Sequence, residues 1–250
     1  MVSKAEGIWT EEIRVHSYDV DFGSHTTLEA ICRFFLEAAW NHAEALGVGF
    51  GELAQQHRLW VLARLVIKVQ RYPGWGDLVR LNTWPRAAKG IFALREFELI
   101  DAAGNHLGGG SSAWVVLDQA SKKPQRLEKI IERIRTGPER LAVGQEPSKV
   151  PPCPGEAMVT RTARYSDVDP NGHVNSGRYI GWLLDSYPSD FHKSHQVQLV
   201  EVNYLDETRG GEAIAIRSQE TAQGTWSHEI DKPDGTAVCR ARMIWGTRRE

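Results

Sequence analysis

Cysteine is scarce, with three in 250 residues: Cys32, Cys153 and Cys239. They are odd in number, far apart and include no C-x-x-C pair. That argues against a disulfide framework or a zinc site and fits a reducing cytosol. Long apolar runs are missing as well. No stretch approaches the roughly 20 apolar residues that a membrane-crossing helix needs. The opening MVSKAEGIWTEEIRV carries acids and has no apolar core, so it does not read as a secretory or transit signal. A cytoplasmic location is expected. Net charge is only −2, so there is no global electrostatic case for nucleic acid or an anionic membrane, and no helix-turn-helix pattern is present. His16, His42, His57, His106, His192 and His195 show no ligand spacing, and no metal or cofactor is expected. Tryptophan, by contrast, is abundant at nine residues. Trp60, Trp75, Trp84, Trp114, Trp226 and Trp245 fall in segments that read as strands, where large rings pack on sheet faces.

The chain repeats itself. Residues 18–25 read YDVDFGSH and residues 166–173 read SDVDPNGH. Asp19-Val20-Asp21 aligns with Asp167-Val168-Asp169 at an offset of 148, which also brings His25 onto His173. A helical pattern follows each segment: Leu28, Ile31, Phe34, Phe35, Ala38, Ala39 and His42 in the first, Tyr179, Ile180, Leu183 and Leu184 in the second. Thr27 and Asn175 stand at matching N-cap positions. Leu65-x-Ile67-x-Val69 and Val200-x-Val202-x-Tyr204 then alternate as strands at an offset of 135, with Gly76-Asp77 falling on Gly211-Glu212. Gly104 and Trp114 match Gly235 and Trp245 at an offset of 131.

Each half is therefore one helix followed by an antiparallel meander, an α+β unit rather than a βαβ one. A long central helix wrapped by a curved antiparallel sheet is the hotdog arrangement, so the expected architecture is a tandem, double hotdog. Gly137, Pro138, Gly144, Pro147, Pro151, Pro152 and Pro154 mark a linker. The domains are expected at 1–145 and 146–250, the second beginning in earnest near Glu156. Just before the linker, Arg126–Arg135 reads as a short amphipathic helix with Leu127, Ile130, Ile131 and Ile134 on one side.

Asp169-Pro170-Asn171-Gly172-His173-Val174-Asn175, followed by Arg178-Tyr179-Ile180-Gly181-Trp182, closely resembles the acyl-ACP thioesterases of plants and bacteria, whose signature reads D-x-N-x-H-V-N-N-x-x-Y-I-x-W. A second family segment resembles Leu59–Arg64, then Arg71-Tyr72-Pro73-x-Trp75-Gly76-Asp77, with Thr83-Trp84 beyond. The resemblance implies hydrolysis of fatty acyl thioesters carried on acyl carrier protein, in fatty acid biosynthesis. It also implies an N-terminal domain that holds the acyl chain, which Phe34, Phe35, Trp40 and Trp60 fit. Two positions depart from the family. Its glutamate is present as Glu207, but the cysteine after it is Thr208, and the second Asn of H-V-N-N is Ser176. A Cys–His nucleophilic mechanism is thus not available at that position.

Thioester hydrolysis needs an attacking group, a base to activate it and donors for the developing oxyanion. Asp169, Asn171, His173 and Glu207 supply candidates. If D-x-N-x-H is strand-like, alternation places Asp169, Asn171 and His173 on one side. Glu207, through His173, would activate water, with Asn171 positioning it. Asp169 would orient the cluster or attack directly. N–H groups near Asn175, at the helix start, add a positive dipole end. The first copy keeps Asp21 and His25 but has Gly23 and Tyr72 opposite Asn171 and Glu207, so its site reads as degenerate.

Plainer roles compete with each of these. His173 alone could be a core histidine satisfied by Asp169; Asn175 suits an N-cap better than a catalyst; Glu207 lies in a polar, turn-like stretch. Lys122, Lys123, Arg126, Lys129, Arg133, Arg135 and Arg140 outnumber Glu128, Glu132 and Glu139. This is more simply a solvated face than a dock for an acidic carrier protein. An acyl-CoA hydrolase and a non-catalytic acyl-binding protein are the competing functions. A hotdog dehydratase does not fit D-x-N-x-H-V-N. Fused domains can pair internally, so monomer and homodimer are both open.

Overall fold

The computed structural model describes residues 7–127, 134 and 136–248. It divides into two compact units, Met1–Pro147 and Ser148–Glu250. The first contains β1 (Trp9–Arg14), α1 (Leu28–Ala45), α2 (Phe50–Gln55), β2 (Arg58–Val69), β3 (Leu78–Lys89), β4 (Phe92–Asp101) and β5 (His106–Asp118). Its strands pair antiparallel in the order β1-β3-β4-β5-β2. The second contains β6 (Ala157–Thr162), α3 (Ser176–Leu184), α4 (Ser189–Ser194), β7 (His195–Tyr204), β8 (Ala213–Ala222), β9 (Thr225–Asp231) and β10 (Ala237–Thr247). Its order, β6-β8-β9-β10-β7, is the same path again.

The repetition extends to individual backbone bonds. Asp21 N–H donates to His25 C=O, and Asp169 N–H to His173 C=O, both at 2.9 Å. Thr26 N–H meets Pro73 C=O, as Val174 N–H meets Thr208 C=O, each at 2.8 Å. Gly104 and Gly235 both bond back three residues, to Asp101 and Lys232, at matching turns. The three sequence offsets thus mark structurally equivalent positions.

The α1 stripe packs Leu28, Ile31, Phe35, Ala38, Ala39 and His42 inward, and Thr27 caps it by accepting from Ala30 N–H at 3.1 Å. The Phe35 ring stacks on Phe97 of β4, with centroids 4.7 Å apart. This approach needs Gly110 on β5, where a Cβ would stand 2.8 Å from the Phe35 ring. The helix of the second unit is shorter than expected. α3 has nine residues and is capped at Asp185, and the chain then turns through Pro188 into α4. Ser186 helps to stop it, since its hydroxyl donates to Leu183 C=O at 2.6 Å.

The Pro/Gly-rich linker is held rather than loose. On the first unit, Gly137 N–H bonds Pro85 C=O at 2.8 Å, and the Trp84 indole N–H donates to Pro138 C=O at 2.9 Å. Ala142 N–H reaches the buried Glu96 carboxylate at 3.1 Å, and Arg140 pairs with Glu98 while stacking on Trp84. On the second unit, Val150 N–H meets Asn203 at 2.8 Å and Cys153 N–H meets Glu229 at 3.2 Å. Arg140 is thereby committed to the fold and not to a docking face. The amphipathic helix read at Arg126–Arg135, with Lys129 and Arg133, falls mostly outside the described residues.

Candidate active site

The site is built on the short segment between β6 and α3. Val168 forms an antiparallel bridge with Val174, and between them the chain reverses: Gly172 N–H donates to Asp169 C=O at 2.9 Å. Asp169-Pro170-Asn171-Gly172 is therefore a tight turn and not the extended run that alternation required. The residues dictate it, with Asp at the first position, Pro fixing φ at the second and Gly closing. Gly172 itself has φ +80°, in the left-handed region; its counterpart Ser24 has φ +60°. Within the turn Asp169 Oδ1 accepts from Asn171 N–H at 2.9 Å, and Asn171 is exposed.

After the turn, His173 bridges antiparallel to Arg209, which draws in the loop between β7 and β8. Glu207 lies two residues before Arg209, on the same side of that loop. The result is a direct contact, His173 Nε2 to Glu207 Oε2 at 3.0 Å, with side chains 24% and 36% exposed. Of the four groups named from the sequence, this pair is in contact. Asp169 and Asn171 occupy the adjoining turn, with Asp169 engaged by Asn171's own backbone. Thr208, in the family's cysteine position, is fully buried.

Asn175 caps α3, its side-chain oxygen accepting from Gly177 N–H at 2.9 Å. Its own N–H donates to Asp167 C=O, and Arg178 N–H to Asn175 C=O. Among the described residues these bonds leave Ser176 as the first-turn N–H available to an oxyanion. The Tyr204 hydroxyl donates to Ser176 C=O at 3.0 Å and fixes the turn from β7.

The motif in the sequence singles out Asp169, whereas Asp167 two residues earlier is the more deeply buried carboxylate. Asp167 is the buried anchor: it accepts Arg164 N–H at 2.7 Å and the Arg178 guanidinium at 2.8 Å. Burial raises its carboxyl, but those two donors outweigh burial and hold it below the usual carboxylate range. Asp19 repeats the arrangement, accepting His16 N–H at 3.0 Å and Arg33 at 2.9 Å. The signal was present, because both aspartates of D-V-D recur in both copies.

The acyl-pocket candidates of the first unit lie in different surroundings. Phe35 is fully buried and Phe34 half-buried. Trp40 is 47% exposed and stacks on Phe50, because it shares the outward face of α1 with Arg33 and Glu37. Trp60 packs with Val48, Leu53, Val116 and Leu127, and its indole N–H donates to Val48 C=O at 2.9 Å. Trp75 sits in a turn, 64% exposed, and not in a strand. Among the described residues no cluster suited to a metal ion occurs, and no helix is long and apolar enough to cross a membrane.

Residues 6–134 match the acyl-ACP thioesterase N-terminal domain and residues 156–247 the C-terminal domain. The chain is 30% identical over 276 residues to oleoyl-acyl carrier protein thioesterase 1, chloroplastic, of Arabidopsis thaliana, covering 95% of this chain and 75% of that one. It is 27% identical to the chloroplastic palmitoyl-acyl carrier protein thioesterase of Gossypium hirsutum, of which it spans 63%. A solved acyl-ACP thioesterase of Bacteroides thetaiotaomicron superposes with a TM-score of 0.89 at 28% identity, covering 96% of this chain and 98% of that one. With both halves matched in order on the double hotdog fold, the chain belongs to the acyl-ACP thioesterase family.

Proposed function

We propose that this protein hydrolyses fatty acyl thioesters carried on acyl carrier protein, releasing the free fatty acid in fatty acid biosynthesis. The single observation that carries the assignment to a place is the 3.0 Å contact between His173 and Glu207. A carboxylate holding an imidazole is a base that can take a proton from water and return it to the leaving thiol. Water attacks the thioester carbonyl, and the tetrahedral oxyanion is met by a backbone donor of the α3 turn such as Ser176 N–H. The C–S bond then breaks, and the thiolate leaves with the proton that the pair has held.

Asp169 serves as part of the turn that aims His173. Its carboxylate already accepts a backbone N–H, which lowers its value as a nucleophile. The first unit keeps the scaffold without the acid–base pair and is assigned to holding the acyl chain, with Phe34 and Phe35 on its helix. Three buried, unlinked cysteines suit a reducing compartment such as the cytoplasm.

The test is thiol release from acyl-ACP, with acyl-CoA run in parallel. His173→Ala and Glu207→Gln should each lower kcat by about 10²–10⁴, the usual worth of a positioned general base. Near-normal turnover by either variant would refute the assignment. Single turnover in ¹⁸O-water should label the fatty acid and not Asp169; label in Asp169 would overturn the water route.

A further inference from the structure

Among the described residues the arginines of the second unit are, with two exceptions, spoken for. Arg161 pairs with Asp185, Arg178 with Asp167, Arg217 with Asp231, Arg240 with Glu229 and Arg242 with Glu201. Arg248 donates to His192 C=O. Arg164 and Arg209 are exposed, and among the described residues neither guanidinium meets a carboxylate or a carbonyl. Glu212, three residues after Arg209, spends its Oε2 on the Arg209 backbone N–H at 2.9 Å.

Backbone pairing brings these two side chains to one edge of the candidate site. Arg209 stands opposite His173 in an antiparallel bridge, so the two side chains leave the same face. Two residues on, Gly211 N–H bonds Ala163 C=O at 2.8 Å and Ala163 N–H bonds Glu212 C=O at 2.9 Å, which places Arg164 beside that loop. The first copy makes the same backbone bonds but carries His16 and Gly74 at these positions. The uncompensated charges thus occur in the copy that has the His–Glu pair and are missing from the copy that lacks it.

We propose that Arg164 and Arg209 form the subsite for the phosphate ester of the prosthetic arm that carries the acyl thioester. The inference rests on the thioesterase reading of His173 and Glu207. A phosphopantetheine arm puts thirteen bonds between sulfur and phosphorus, ~16 Å when extended at a polypeptide's rise per bond. The backbone path from His173 through Arg209 and Ala163 to Arg164 is no longer than roughly 20 Å, and each arginine extends the reach. Planar guanidinium donors suit phosphate oxygens, and a protein of net charge −2 supplies no diffuse positive field to do this instead.

The arm is common to acyl carrier protein and coenzyme A, so the experiment uses both, together with acyl-phosphopantetheine and acyl-pantetheine of one chain length. The readout is the ratio of kcat/KM between the phosphorylated and unphosphorylated thioesters. It should favour the phosphorylated one by about tenfold at low salt, shrink with ionic strength, and fall to near one in Arg164→Gln/Arg209→Gln. The Lys/Lys variant should keep part of the preference. A ratio that the Gln variant retains overturns the proposal. So does a loss confined to acyl-ACP, which would place the contact on the carrier protein. Full activity in His173→Ala would defeat the thioesterase site itself. Phosphopantetheine binding by calorimetry, weakened at least tenfold in the Gln variant, then judges the arginines without turnover, and equal binding overturns them.

Discussion

Acidification should destabilise the protein through two histidines outside the candidate site. His228 is fully buried; its Nδ1 lies 2.8 Å from Ser218 Oγ and its Nε2 3.1 Å from the Tyr187 hydroxyl. Burial lowers its pKa to about 4. His42, beneath Trp9, lies 3.1 Å from the Arg95 guanidinium, which can only donate, so Nδ1 accepts and the ring is neutral. Burial and then Arg95 lower its pKa to about 3. Between pH 6.5 and these values the unfolded chain binds a proton that the folded chain refuses. Stability is therefore whole above pH 6.5 and is lost as pH falls through the window. Each histidine costs about 2 kcal/mol at pH 5 relative to pH 7.5. Asp231 works in the opposite sense, since burial raises its carboxyl and the folded state holds that proton longer. The molecule supplies its own control. Ser218 pairs with His228 across β8 and β9 where Thr83 pairs with Phe97 across β3 and β4. His228→Phe should cost about 1–3 kcal/mol at pH 7.5, because it strands two hydroxyls. It should also remove about 2 kcal/mol of the difference between pH 7.5 and pH 5. Urea unfolding followed by tryptophan fluorescence at the two pH values measures both. An unchanged pH dependence in the variant would refute the reasoning.

Two further outcomes follow from the site's geometry. Thr208→Cys should restore the family's residue without creating a nucleophile, because the side chain is fully buried and alternates away from Glu207; rapid loss of activity on adding a thiol reagent to that variant would contradict this. Asn175→Ala should cost about 1 kcal/mol by removing the α3 cap, whereas Asn175→Asp keeps it. A melting curve and an activity assay on both separate capping from substrate contact, and an inactive but stable Asp variant would favour the latter.

Much of this was legible in the sequence because duplication writes each constraint twice. The offsets of 148, 135 and 131 each survive as paired hydrogen bonds, since a tight turn needs its Gly or Asp wherever it recurs. The His173–Glu207 contact was reachable because both residues sit on segments that the repeat had already aligned. Other features were not reachable. The turn at Asp169–Gly172 was read as extended because D-x-N-x-H has period two, yet Pro170 and Gly172 outrank periodicity over so few residues. The nine-residue length of α3 depends on a hydroxyl competing for a carbonyl, which no hydrophobic pattern records. The Pro and Gly content marks the linker but carries no sign of what holds it. Its fixation comes from Glu96, Asn203 and Glu229, far away in the chain. Trp40 illustrates the same limit, since an aromatic on an apolar helix can still fall on the outward stripe.

The two copies also separate scaffold from chemistry. A buried amide left without a partner costs about 1–3 kcal/mol, so the bond from buried Thr26 N–H to Pro73 C=O cannot drift without unfolding the segment. Side chains at the exposed rim carry no such penalty. Hence the first copy retains Asp19, Asp21 and His25 while Asn171, Arg164, Glu207 and Arg209 are matched by Gly23, His16, Tyr72 and Gly74. A histidine present in both copies is thus not evidence of activity by itself. Under the proposed function His173 owes its chemistry to the carboxylate at 3.0 Å, and Tyr72 is the residue matched to that carboxylate in the first copy.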